Sequence, residues 1–141
     1  MAASRRSSTP DRANQDQETI MRYACLIYYH PQTLFGGSPQ ADAALAECAG
    51  YDEVLKASGH FVTAEALVLP EEAMTLQVRD GKMSTVDGPF IETKEVLGGI
   101  IVIEARDLNE AVRVASGHPL ATIGHIEVRP VVDFSQPRPV L

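Results

Sequence analysis

The densest chemistry in the sequence lies in one short segment, where Asp87, Glu92 and Glu95 surround Lys94 with Thr93 alongside. In a partly desolvated cleft, acidic neighbours hold a lysine protonated, and an isolated carboxylate is raised toward neutral pH. Asp87 is thereby a candidate general acid or base. Lys94 is a candidate anion-binding group, with Glu92, Thr93 and Glu95 as further substrate contacts. The same residues also have a structural reading, in which Asp87 caps the turn, Gly88-Pro89 sets its backbone and Phe90 anchors the loop in the core.

A second group sits near the C-terminus. Ile126 and Val128 alternate with His125, Glu127 and Arg129, so strand geometry sends the two sets to opposite faces. If the apolar pair faces helices, the polar three face a cleft between sheets. There Glu127 and Arg129 are candidate binding groups, and His125 or His60 a proton relay. His60 and Glu65 lie on another strand candidate that opens toward the same cleft. A histidine, a carboxylate and an arginine on one face suit a small anionic or enol-like molecule. A solvated strand face carrying an i,i+2 charge pair looks the same in sequence.

No metal and no cofactor are expected. His30, His60, His118 and His125 lack the short paired spacing of common zinc ligands. His118, just before Pro119, reads as a cap on the last carbonyls of a helix. The sequence has no Gly-rich phosphate loop, no G-x-S-x-G and no Cys-His signature. Cys25 and Cys48 are too far apart for a redox or zinc pair and fall in apolar patterns. Buried free thiols in a reducing cytoplasm are the expectation.

These side chains need a scaffold, and 141 residues suffice for one core. No apolar run approaches the roughly 20 residues that span a bilayer, so no membrane partner is expected. Residues 1–20 hold three basic and three acidic side chains and no apolar h-region, so the formal charge of −7 belongs to residues 21–141. An acidic body argues against nucleic acid as the main partner. The expected organisation is a disordered N-terminal extension over 1–20, a domain over 21–134 and a tail over 135–141.

The scaffold is written in alternation and punctuation. Arg22–Tyr29 is apolar on both faces, which predicts a strand covered on both sides, ended by His30-Pro31. Ser38-Pro39 opens a helix whose stripe is Ala41, Ala44, Leu45, Cys48, Tyr51 and Leu55, with Gly59 as its C-cap. Asp52 is the exception, a charge at the edge of that stripe. Gly50 within the helix suggests a close approach by a strand. His60–Leu69 reads as a strand, and Asp80-Gly81 as a type I′ hairpin turn between Met74–Arg79 and Lys82–Val86. Gly98-Gly99 introduces the β-branched run Ile100–Glu104, a central strand. Asp107 and Glu110 have capping-box spacing before a second helix, which Gly117 and Pro119 stop. Gly124–Val132 is the last strand.

The order β-α-β-(hairpin)-β-α-β is an α+β, ferredoxin-like βαββαβ pattern with an inserted hairpin. In it both helices cover one sheet face. An apolar second face would then be buried most simply in a two-fold homodimer.

The motifs resemble a known family. Met21-Arg22-Tyr23 before an apolar strand, Thr85-Val86-Asp87-Gly88-Pro89-Phe90-Ile91-Glu92-Thr93-Lys94-Glu95, and Gly98-Gly99 before a strand are similar to the DGPF branch of the YCII-related family. Asp107-Leu108-Asn109-Glu110-Ala111 and Ile126-Glu127-Val128-Arg129-Pro130-Val131 extend the resemblance over residues 21–133. It implies a ferredoxin-like subunit in a dimeric α/β barrel. It also implies a group in which most activities are unassigned, some members having a His-Asp pair in the cleft and one branch acting on chlorinated hydroxyquinols. Members are often encoded near extracytoplasmic-function sigma factors. Relatives with the pair carry its histidine on the first helix, and residues 39–58 contain none. Two functions follow. One is a cofactor-independent isomerase, lyase or dehalogenase acting on a small polar or aromatic molecule, with Asp87, His125 and His60 catalytic. The other is a non-catalytic dimeric ligand-binding or regulatory module.

Overall fold

A computed structural model describes residues 20–136. Most of the expected N-terminal extension and the last residues of the expected tail lie outside that range. The elements are β1 (Met21–Tyr29), α1 (Pro31–Leu34), α2 (Pro39–Ser58), β2 (Phe61–Ala66), β3 (Met74–Arg79) and β4 (Lys82–Asp87). They continue with β5 (Val96–Ala105), α3 (Leu108–Ala115) and β6 (His125–Pro130), with 3-10 turns at Pro70–Glu72 and Pro119–Thr122.

Strands β2-β5-β1-β6 form one antiparallel sheet in that order, and β3 and β4 pair separately as a hairpin. With the hairpin set aside, this is the ferredoxin-like order. On β1 the alternation resolves into two faces. Tyr23, Cys25, Ile27 and Tyr29 are buried, while Ala24, Leu26 and Tyr28 are half-buried. Ile101, Ile103 and Ala105 join the buried face from β5, and Ala41, Ala44, Tyr51, Leu55, Ala111 and Ala115 cover it from the helices. The Tyr51 hydroxyl donates to the Val114 carbonyl at 2.8 Å and ties α2 to α3.

Local chemistry sets the ends of these elements. Ser38 Oγ accepts the Ala41 N–H at 3.1 Å, and Gly59 closes α2 in the left-handed region at φ 82°. Such a cap contributes about 1 kcal/mol. Asp107 Oδ1 accepts the Glu110 N–H at 2.8 Å, and Glu110 returns a carboxylate oxygen to the Arg106 N–H at 2.9 Å. The reciprocal box therefore closes one residue early. Asp80 and Gly81 both have positive φ, 53° and 75°, as a type I′ turn requires.

Gly98 is set by packing. The β1–β5 register slips there, with Ile27 opposite Gly99 and Tyr28 opposite Leu97. A Cβ on Gly98 would meet the Tyr29 ring at 1.9 Å. The extra residue of the bulge lets an aromatic ring lie against the backbone.

Several local expectations differ from the structure. α1 fills the stretch directly after His30-Pro31, where only the end of a strand is expected. β2 stops at Ala66 rather than Leu69. Gly50 meets no close neighbour, since nothing lies within 4 Å of a Cβ placed there. Phe90 is 82% exposed, so it does not anchor its loop in the core.

Candidate functional site

The first shared feature of the nominated residues is the face of the sheet that the helices leave open. His125, Glu127 and Arg129 stand opposite Tyr28, Leu26 and Ala24, which are the half-buried positions of β1. His125 Nδ1 lies 2.7 Å from Glu95 Oε1, an ion pair when the ring is protonated. The Thr93 hydroxyl donates to the Glu95 carbonyl. This joins the end of the 87–95 loop to β6. Glu127 takes the Arg129 guanidinium, so neither of those groups stands alone on the strand.

The remaining nominees disperse. Asp87 ends β4 and is exposed, as is Lys94, and neither side chain has a hydrogen-bond or ion-pair partner among the described residues. His60 sits at the α2–β2 junction, where its Nδ1 meets the Glu104 carbonyl at 2.7 Å. Glu92 and Thr93 line a cavity of about 760 Å³ together with Tyr28, whereas Asp87, Lys94, His125 and Arg129 are not on its wall. Glu65 lines a different cleft altogether.

That second cleft, about 200 Å³, lies on the helix side of the sheet and brings together groups that the sequence reading did not connect. Cys48 and Asp52 are one turn apart on α2 and face it together. Gly98 and Gly99 form part of the floor, and His118 closes one side. Sequence offered one signal, the charge of Asp52 at the edge of an apolar stripe. His118 was masked by the helix-stop signal around it.

Its true role is not to cap α3. It is the N-cap of the 3-10 turn, where its Nδ1 accepts the Leu120 N–H at 3.0 Å. The neutral ring must therefore carry its proton on Nε2. His118 is 6% exposed, and its ring meets Tyr51 edge-on at 5.0 Å between centroids. Burial pushes its pKa below the ordinary histidine value, and the nearby Asp52 carboxylate opposes this more weakly. At neutral pH the ring is thus a neutral N–H donor.

Cys48 is no nucleophile here. Burial, then the charges of Asp52 and Glu47, push its thiol pKa up, and its Sγ donates to the Ala44 carbonyl at 3.3 Å. Cys25 is pushed up to about 11 by burial. Both cysteines are free, Cys25 buried and Cys48 half-buried. Among the described residues no three of His, Cys, Asp and Glu gather in a way that could hold a metal ion. No helix there is long and apolar enough to cross a membrane.

Comparison with known proteins places the chain by its sequence. The family model of the YCII-related domain matches residues 21–135. An uncharacterised protein of Rhizobium meliloti (strain 1021) is 31% identical over 114 residues, spanning 79% of this chain and 92% of the relative. The family match runs from the first strand to just past the last, and so takes in both α2 and the His118 turn. The chain belongs to the YCII-related family.

Proposed function

We propose that the protein is a cofactor-independent acid/base enzyme acting on a small carbonyl- or enol-bearing molecule in the cleft of Asp52 and His118. One observation carries this reading: a buried, neutral histidine of fixed tautomer shares an apolar-walled cleft with a carboxylate. A neutral imidazole N–H polarises a carbonyl without giving up its proton, and a nearby carboxylate is the matching base. Asp52 would take a proton from the carbon beside the carbonyl while His118 Nε2–H donates to the oxygen. With an α-hydroxycarbonyl substrate, returning that proton to the former carbonyl carbon while the hydroxyl proton passes to the former carbonyl oxygen completes an isomerisation. With a leaving group on the β-carbon, its departure with the bonding electrons instead completes an elimination. The carboxylate stands on the helix and the histidine on the turn, whereas the family resemblance implies the histidine on the helix. At about 200 Å³ the cleft is below the usual range for drug-sized ligands, which restricts it to small substrates.

The test is solvent-deuterium incorporation, followed by NMR, into a set of hydroxyquinols, lactones and 1,2-dicarbonyl compounds. Wild type should catalyse exchange in at least one. Asp52→Asn and His118→Gln should each slow it by about 100-fold or more. Exchange that survives both substitutions, or that occurs with no compound in the set, rejects the reading.

A second reading places the chemistry or the binding on the open face, and the 2.7 Å His125–Glu95 contact favours it. There His125 and Asp87 would work beside Lys94 and Arg129 in the cleft of a homodimeric α/β barrel of the DGPF type. As a non-catalytic module, the same dimer would bind a small ligand or serve regulation, linked to an extracytoplasmic-function sigma factor. His125 is the weaker acid/base candidate because its side chain is 78% exposed. An exposed pair is worth under about 1 kcal/mol and excludes no water.

A further inference from the structure

The cavity of about 760 Å³ beneath the 87–95 loop lies apart from the Asp52–His118 cleft, and its lining is one-sided in charge. Its size falls within the range of ordinary small-molecule sites. Leu67, Leu69, Ile91 and Leu97 supply apolar wall, and Tyr28 supplies an aromatic ring. The charged side chains on the wall are Glu71 and Glu92, and among the described residues no lysine, arginine or histidine lines it. Lys94 and Arg129, the cations nominated for an anionic substrate, are therefore not on the wall of this cavity. Arg129 is already paired with Glu127.

The walls are held from several sides. The Gly88 N–H donates to the Ala73 carbonyl at 2.7 Å, and the Thr75 hydroxyl donates to the Gly88 carbonyl at 2.8 Å. At the other end of the loop, Glu95 meets His125 at 2.7 Å. The Leu67 N–H donates to the Gly98 carbonyl at 2.9 Å on the opposite wall. A site built this way pays little to order itself around a ligand. Val68 and Ile91 remain 65% and 63% exposed, apolar surface that an occupant would cover.

We propose that this cavity binds an amphipathic cation, an apolar or aromatic body carrying one ammonium group. The body lies against the aliphatic wall, and the ammonium is met by Tyr28, Glu71 and Glu92. An aromatic face combined with carboxylates is the chemistry that recognises organic ammonium ions. A carboxylate of the same shape meets two like charges, with no cation on the wall to offset them.

Calorimetric titration of the full chain with 2-phenylethylammonium, 2-phenylethanol and 3-phenylpropionate tests this directly. The ammonium should bind about tenfold or more tightly than the carboxylate, with the alcohol between them. Combined Glu71→Gln and Glu92→Gln substitutions should remove most of that preference and leave alcohol binding unchanged. Both sites are exposed, so the fold should tolerate them, and an unchanged Tm shows that it does. Equal or tighter binding of the carboxylate overturns the proposal, as does an ammonium affinity unaffected by the double substitution. Absence of ammonium binding in a chain whose Tyr28 and Ile91 are covered by a second copy overturns it too, because the cavity then belongs to the dimer interface. Activity at Asp52 and His118 is not involved in any of these outcomes.

Discussion

His118 is a residue whose surroundings decide its chemistry. Alone, a histidine before a proline at a helix end is an unremarkable cap. Enclosed by Tyr51 and bonded through Nδ1 to the Leu120 N–H, it becomes a neutral donor of fixed tautomer. The same burial couples it to stability. Its folded pKa lies below the ordinary 6.5, so in the window beneath that value the unfolded chain binds the proton more readily. The stability associated with the neutral ring is therefore complete above about pH 6.5. It is lost as pH falls from there, and the loss levels off below the depressed folded value. Melting temperatures measured from pH 8 to pH 5 should fall less steeply for His118→Gln than for wild type. Parallel slopes for the two proteins would show that the ring titrates normally. The substitution also removes the proposed electrophile, so the pH experiment and the exchange experiment address one residue through independent readouts.

The turn, the caps and the alternating strands form from residues close in sequence, and for that reason they were readable from it. Asp80-Gly81, Ser38, Gly59 and Asp107 occupy the roles that their types and spacings imply. What could not be read was proximity between distant segments. Nothing in a window around residue 52 reveals that residue 118 closes the same cleft, and nothing in the 87–95 loop reveals that Phe90 points away from the core. α1 was missed because four residues carry too little periodicity to stand out. Gly98 lies between these cases. The sequence showed a glycine pair before a strand, but only the β1–β5 bulge and the Tyr29 ring explain it. Tyr29 is 6% exposed and has little room to retreat. Gly98→Ala should therefore destabilise the fold by about 1–3 kcal/mol, the usual cost of overpacking. Urea unfolding would measure it. A variant within experimental error of wild type would mean that the ring swings aside freely, and the bulge would lose its packing rationale.

At the scale of the whole molecule, two apolar surfaces stand out as uncovered among the described residues. One is the open face of the main sheet, with Leu26, Ile100 and Val102 half-buried. The other is one side of the β3–β4 hairpin. There Met74, Leu76, Val78 and Met83 share a face by register and are 65%, 62%, 54% and 67% exposed. A two-stranded hairpin on its own is marginally stable in water, and an uncovered apolar strand face invites pairing. A homodimer is the simplest closed arrangement that covers such surfaces, and a stable one buries about 1,200–2,000 Å² in total. Light scattering after size exclusion should give the mass of two chains. Leu76→Lys on the hairpin and Leu26→Lys on the open face should each shift that mass toward one chain. Leu26→Lys also reports on geometry, because a face-to-face barrel buries that position against the partner. A dimer weakened only by Leu76→Lys would keep the association but reject the barrel. A wild-type monomer at tens of micromolar would reject the homodimer, and with it the second reading, whose site needs two sheets to enclose His125. The acid/base cleft of Asp52 and His118 is formed by one chain, so it stands or falls separately.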